Sequence, residues 1–178
     1  MTEKKEIKLF ETDYRITGKH ATYLKFIVNE AQIFNTFIEA YLNAAVFGFL
    51  ANRKAKRDNE STDSANILAS AFINHRHDCL FLYRLIMLLD EKDINLEERL
   101  DRAFRYDTDP SKYDKVQENL NIFNSYVLGG IEEMYNKFII DCSSSEDYIK
   151  RTFEIVKTFK DEIDGVSYKE KIDKLLRM

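Results

Sequence analysis

The chain has 178 residues, 44% of them hydrophobic, with five glycines, one proline and no tryptophan. A chain of that length buries roughly 70% of its unfolded surface without a metal or disulfide staple, and so few turn residues disfavour the many short connections of an all-β fold. A net charge of -4, from 27 basic and 31 acidic residues, excludes the global cationic field that drives indiscriminate binding to nucleic acid or acidic lipid.

Residues 1–17 mix charge with an apolar alternation through Ile7, Leu9, Tyr14 and Ile16, which predicts an extended arm closing at Thr17 and Gly18. A first helix starts near Lys19, with Ala21, Leu24, Ile27 and Val28 on one face. A second runs from about Gln32 to Lys54 and is apolar on most sides, so it must be covered from several directions. The segment RKAKRDNESTDSAN, from Arg53 to Asn66, has clustered charge and no apolar period. Its centre, residues 54–64, reads as an exposed loop that proteases should reach.

Ser64 is a candidate N-cap for a third helix, which carries the run CLFLYRLIMLL from Cys79 to Leu89 and is the second long apolar helix. After an acidic turn at Asp90 to Asp93, a fourth helix spans Ile94 to Arg105. Asp109 and Pro110 start a fifth, because proline at the first helical position lacks only a donor that would be unpaired there. Gly129 and Gly130 either kink or end it near Leu128. Ser143 to Ser145, with Glu146 and Asp147, cap a helix to about Asp164, Gly165 closes it, and Ser167 begins a last short one. The expected fold is all-α: one domain over residues 1–178, a bundle of about six to eight helices around two long central apolar ones, with a short extended N-terminal arm.

Two well-separated cysteines, Cys79 and Cys142, and an N-terminus without a secretory pattern point to the cytoplasm. The most apolar stretch, Phe34 to Leu50, is broken by Asn35, Glu39 and Asn43, so no membrane span is expected.

The sequence NHRHDC, Asn74 to Cys79, is the densest group of potential ligands. On a helix His75 and His77 point about 200° apart, and only His75 and Cys79 share a face. Two ligands do not close a metal site, and no HExxH, ExxH or CxxC supplies the others, so no metal is expected. No glycine-rich phosphate loop or GxSxG elbow occurs either, so no cofactor is expected.

Each long apolar helix keeps one narrow polar line: Gln32, Asn35, Glu39 and Asn43 on the second, and Asn74, His77, Asp78 and Arg84 on the third. An arginine among apolar neighbours needs a carboxylate, which predicts that Arg84 meets Glu39 or Asp78. Such a seam would make Glu39, Asn43, His77, Asp78 and Arg84 candidate binding residues. Two basic groups could contact phosphate: Arg53, Lys54, Lys56 and Arg57, and the stripe Arg99, Arg102, Arg105 at helical threes. Both have acids beside them, which favours solvated faces with local ion pairs.

Arg15 and His20, with four residues between them, resemble in type the Arg and His pair of the HEPN ribonucleases. In that family the pair lies on a helix and two copies face each other across a helical dimer; here Gly18 interrupts the interval. The resemblance implies a ribonuclease with Arg15 and His20 as its catalytic pair. Against it stands the apolar excess of the second and third helices, with Phe123, Tyr126, Tyr135 and Phe138, which is more than the shorter helices can cover. That excess predicts a non-enzymatic protein-protein interaction module, self-associating or a small subunit of a larger cytoplasmic assembly, with Phe47 and Tyr126 facing outward. The alternative is a nucleic-acid-associated protein, such as a HEPN-like ribonuclease or an accessory factor of a bacterial defence or modification system.

Overall fold

A computed structural model describes residues 7–90 and 94–165, without the side chains of 163–165. Residues 91–93 of the acidic turn and the last short helix expected from Ser167 lie outside the described residues. The chain divides into two compact units, Met1–Ile140 and Asp141–Met178. Seven α-helices and a two-stranded ribbon are present among the described residues, an all-α architecture.

In the first unit, strand β1 (Tyr14–Thr17) leads into helix α1 (Lys19–Lys25) and a π-helical turn, Phe26–Glu30. Helix α2 (Phe37–Leu50) starts later than Gln32, because Thr36 accepts from the Glu39 amide and makes itself the N-cap. Strand β2 (Ser64–Ile67) pairs antiparallel with β1, Tyr14 opposite Ile67 and Thr17 opposite Ser64. Ser64 therefore starts a strand and not a helix. Ala65 and Ile67 alternate inward with Asn66 outward, a period of two that a helix reading of SANI overlooks.

The expected third helix is two: α3 (Ala69–Asn74) and α4 (Arg76–Leu89), broken where His75 leaves helical geometry at φ -107° and ψ 20°. Helix α5 spans Leu96–Phe104, capped by Asn95. A 3-10 turn, Pro110–Lys112, then opens α6 (Tyr113–Phe138), which runs unbroken through Gly129 and Gly130.

Those glycines bring helices together. A Cβ at Gly130 would overlap the carbonyl of Ala44, one at Gly48 that of Tyr126, and one at Gly129 that of Arg53. Backbone against backbone, α2 and α6 form the central pair of the unit. The apolar excess of α2 is therefore largely core: Ile38, Ala40, Tyr41, Ala44 and Ala45 are buried, and Phe47 packs its ring 5.7 Å from that of Phe138. Tyr126 is also buried, so neither it nor Phe47 is an outward position.

The arm contributes to the core as well. Leu9 and Phe10 are buried, and Phe10, at φ 59°, lies within about 6 Å of the Phe72, Tyr83 and Phe123 rings, an aromatic cluster that Tyr41 completes. Each leucine or phenylalanine side chain removed from water contributes about 1.5–3 kcal/mol, so a short arm anchored by Leu9 and Phe10 stays attached.

The second unit is described over its helix α7 (Ser145–Gly165) and the turn before it. The Ser144 hydroxyl accepts from the Asp147 amide at 3.2 Å, while the Asp147 carboxylate accepts from the amides of Ser143 and Ser144. This reciprocal cap satisfies the donors that the first helical turn leaves open.

Candidate functional site

Helix α2 ends by a turn in which Asn52 adopts φ 49° and the Arg53 amide reaches back to the Gly48 carbonyl. That turn launches Arg53 and Lys54 in different directions. Arg53 donates through Nε and Nη2 to one oxygen of Glu132 on α6, at 3.2 and 2.6 Å, and through Nη1 to Glu133. Lys54 reaches Asp90, the residue that closes α4, at 3.2 Å.

Glu132 is the hub of the first cluster. Its other oxygen is 2.9 Å from Lys19 Nζ and 3.0 Å from His20 Nε2. Burial pushes the Glu132 carboxyl up, but Lys19, Arg53 and His20 more than offset this and hold it below the usual range. His20 is fully buried, and burial lowers its pKa in spite of the carboxylate beside it. Asp90 is the hub of the second cluster: it also accepts from the Tyr126 hydroxyl at 2.6 Å and lies 3.6 Å from Arg102. Both hubs have two or more partners, which a buried carboxylate requires.

The loop between α2 and β2 is exposed over most of its length but tied along it. Ala55 donates to the Ser125 carbonyl, Arg57 to the Arg15 carbonyl, and Asp63 binds Lys25 and Thr22. Asp58 accepts from the Lys19 amide at 2.7 Å. Gly18, at φ 67°, precedes α1 without a side chain to cap it, so Asp58 supplies the missing acceptor from 39 residues away in sequence. Its carboxylate fills the space that a Cβ at Gly18 would need.

The residues singled out from sequence are dispersed. Arg15 lies exposed on β1 and donates to Ser64 at 3.1 Å, whereas His20 has no exposed surface to present to a substrate. Glu39 accepts from the Asn35 amide at 2.9 Å, and Asn43 donates to the Glu39 carbonyl, so both serve the local geometry of α2. His77 is 98% exposed and Asp78 65%. Arg84 pairs at 3.1 Å with Asp107, not with Glu39 or Asp78, and its guanidinium lies over the Phe104 ring. The structure does not assemble the predicted seam.

The arginine stripe of α5 does not form one outward face. Arg102 turns inward, buried against Asn119, Met87 and Asp90; Arg99 donates to the Leu88 carbonyl; Arg105 is matched by Glu97 and Asp101. Arg53 and Lys54 are likewise taken up by acids, and Arg57 lies over the Tyr14 ring.

A mixed cleft on the first unit runs past Asn52, Lys54 and Asp90, and a second open surface is mainly apolar. Phe81, Leu85 and Leu88 of α4, with Phe104 of α5, line a groove of about 330 Å³ whose walls are completed by His77, Leu80 and Arg84. Phe81 is 59% exposed and Phe104 45%. Positions 77, 81, 84, 85 and 88 recur at three and four residues, so the signal was present in the sequence. It was hidden because the run from Cys79 to Leu89 is apolar except at Arg84, and periodicity alone does not show which side a neighbour covers. Among the described residues no group of His, Cys, Asp and Glu could hold a metal ion, and no helix is long and apolar enough to cross a membrane. Burial raises the Cys79 thiol to about 12, far from a reactive thiolate.

No family model, no curated protein and no solved structure matches the chain.

Proposed function

We propose that the protein is a non-enzymatic helical interaction module whose docking surface is the groove between α4 and α5. The observation that supports this is the exposed set Phe81, Leu85 and Phe104, which with half-buried Leu88 forms a concave apolar surface on a unit where Arg53, Lys54, Arg84 and Arg105 are all paired with acids. A partner helix presenting apolar residues at i, i+4 and i+7 would fill such a groove in the helix-in-groove manner. Aromatic anchors such as Phe81 and Phe104 dominate interfaces of that kind, while the ionic rim adds little.

Phe81→Asp tests the groove, because so exposed a side chain contributes little to the fold. Native mass spectrometry of the chain purified gently from its own host is expected to show a bound partner subunit above 21.1 kDa, absent from the variant although its melting temperature is unchanged. A partner that stays bound to the variant overturns the assignment to this groove.

A further inference from the structure

Helix α7 presents Ile149, Phe153 and Val156 to solvent, at 70%, 68% and 60% exposure. At 100° per residue these three fall within an arc of about 60°, a seam and not a scatter. Helices in proteins draw most of their stability from packing an apolar face. The same stripe continues to exposed Glu146 at one end and exposed Lys160 at the other, each seven residues from Phe153.

We infer that α7 is a self-pairing helix through which two copies of the chain join antiparallel, with Phe153 facing Phe153 across a two-fold axis. Seven residues rise about 10.5 Å along a helix, so with Phe153 on the axis Glu146 of each copy comes level with Lys160 of the other. Ile149 then comes level with Lys157, whose stem it meets, and stands one residue, about 1.5 Å, from the level of Val156 on both sides. The order acid, aliphatic, aromatic, aliphatic, base is self-complementary only in this orientation, because parallel pairing would set Glu146 against Glu146 and Lys160 against Lys160. Such an interface uses the same patch on both copies and closes at two, giving a dimer and not a filament. Three large side chains per copy make it small, so association is weak and concentration-dependent. The surface is separate from the α4 and α5 groove, and this inference stands or falls independently of the proposed partner site.

Sedimentation equilibrium of the full chain over a range of concentrations tests it. The mass is expected to rise from 21.1 kDa toward twice that value, and Phe153→Glu to hold it at 21.1 kDa with unchanged far-ultraviolet circular dichroism. Glu146→Lys should weaken association several-fold by setting lysine against Lys160, and Glu146→Lys combined with Lys160→Glu should restore it. A chain that is monomeric throughout, or a dimer that survives Phe153→Glu, overturns the inference. A dimer insensitive to Glu146→Lys overturns the antiparallel arrangement, and one lost in Phe81→Asp but kept in Phe153→Glu moves the self-contact to the groove.

Discussion

His20 Nε2 lies 3.0 Å from Glu132 Oε1, a contact between residues 112 positions apart that ties α1 to α6. An ionised carboxylate only accepts, so Nε2 carries the proton, and Nδ1 is left buried without a partner. Burial lowers the His20 pKa below its ordinary 6.5, and Glu132 is held below its ordinary 4.5. In both cases the unfolded state binds protons first as the pH falls. Stability is therefore complete above about 6.5, begins to fall below that value as unfolded His20 protonates, and falls again below 4.5 through Glu132. Melting temperatures measured from pH 8 to pH 4 should show this acid-side decline. His20→Gln, which keeps a donor toward Glu132 but cannot titrate, should remove its upper part; an unchanged profile would refute the assignment.

The helix starts at Lys19, after Pro110 and at the serines before α7 were legible because caps and periodicity are local. Thr36 and Asn95 also act within three residues of themselves, but the sequence reading passed over them and began those helices at Gln32 and Ile94. The partners of the charges were not legible, because they are set by tertiary geometry: Arg53 and Glu132 are 79 positions apart, Lys54 and Asp90 36. Glu132 could have been noticed, since it interrupts an apolar face through Leu128, Tyr135 and Ile139 at four, three and seven residues. Ser64 misled because a hydroxyl before an apolar pair suits a cap and an edge strand equally. The groove at Phe81 needed the structure, which alone shows that α2 packs on α6 and leaves that side of α4 open.

Gly130→Ala should destabilise the fold although alanine is the better helix former by about 1 kcal/mol. The added methyl meets the Ala44 carbonyl, a backbone atom that cannot rotate away, so α2 and α6 must separate. Overpacking of this kind costs about 1–3 kcal/mol before the lost contacts along the helix pair are counted, and the net effect should be a loss of about 1–2 kcal/mol or more. Urea denaturation of the two proteins decides it, and a stabilised variant would show that the helices yield.

Tyr126→Phe removes a hydroxyl that donates to buried Asp90 while leaving the ring in place. Asp90 keeps Lys54 and Arg102, so the expected cost is that of one hydrogen bond to a charged acceptor, about 1–2 kcal/mol. Chemical denaturation should show a lower midpoint at unchanged slope. Tyr126→Glu, by contrast, buries a second carboxylate beside Asp90 and should prevent folding, the opposite of its effect had Tyr126 faced outward.

Asp58 caps α1 from the far side of the loop, and its removal should expose the loop before it harms the rest of the unit. In the intact protein Arg53 and Lys54 are held by Glu132 and Asp90, and the Ala55 amide is bonded to Ser125, so the bonds following Lys54, Lys56 and Arg57 are poorly presented to trypsin despite their polar surroundings. A protease needs an extended stretch of several free residues, which the tethers at Ala55, Arg57, Asp58 and Asp63 interrupt. Asp58→Ala frees the Lys19 amide and the Glu60 amide together and leaves only the outer tethers. Limited trypsinolysis read by mass spectrometry should then show cleavage after Lys56 and Arg57 several-fold faster than in the parent chain, with little change in far-ultraviolet circular dichroism. Equal cleavage rates would mean that Asp58 does not hold the loop, and that α1 is capped well enough by water.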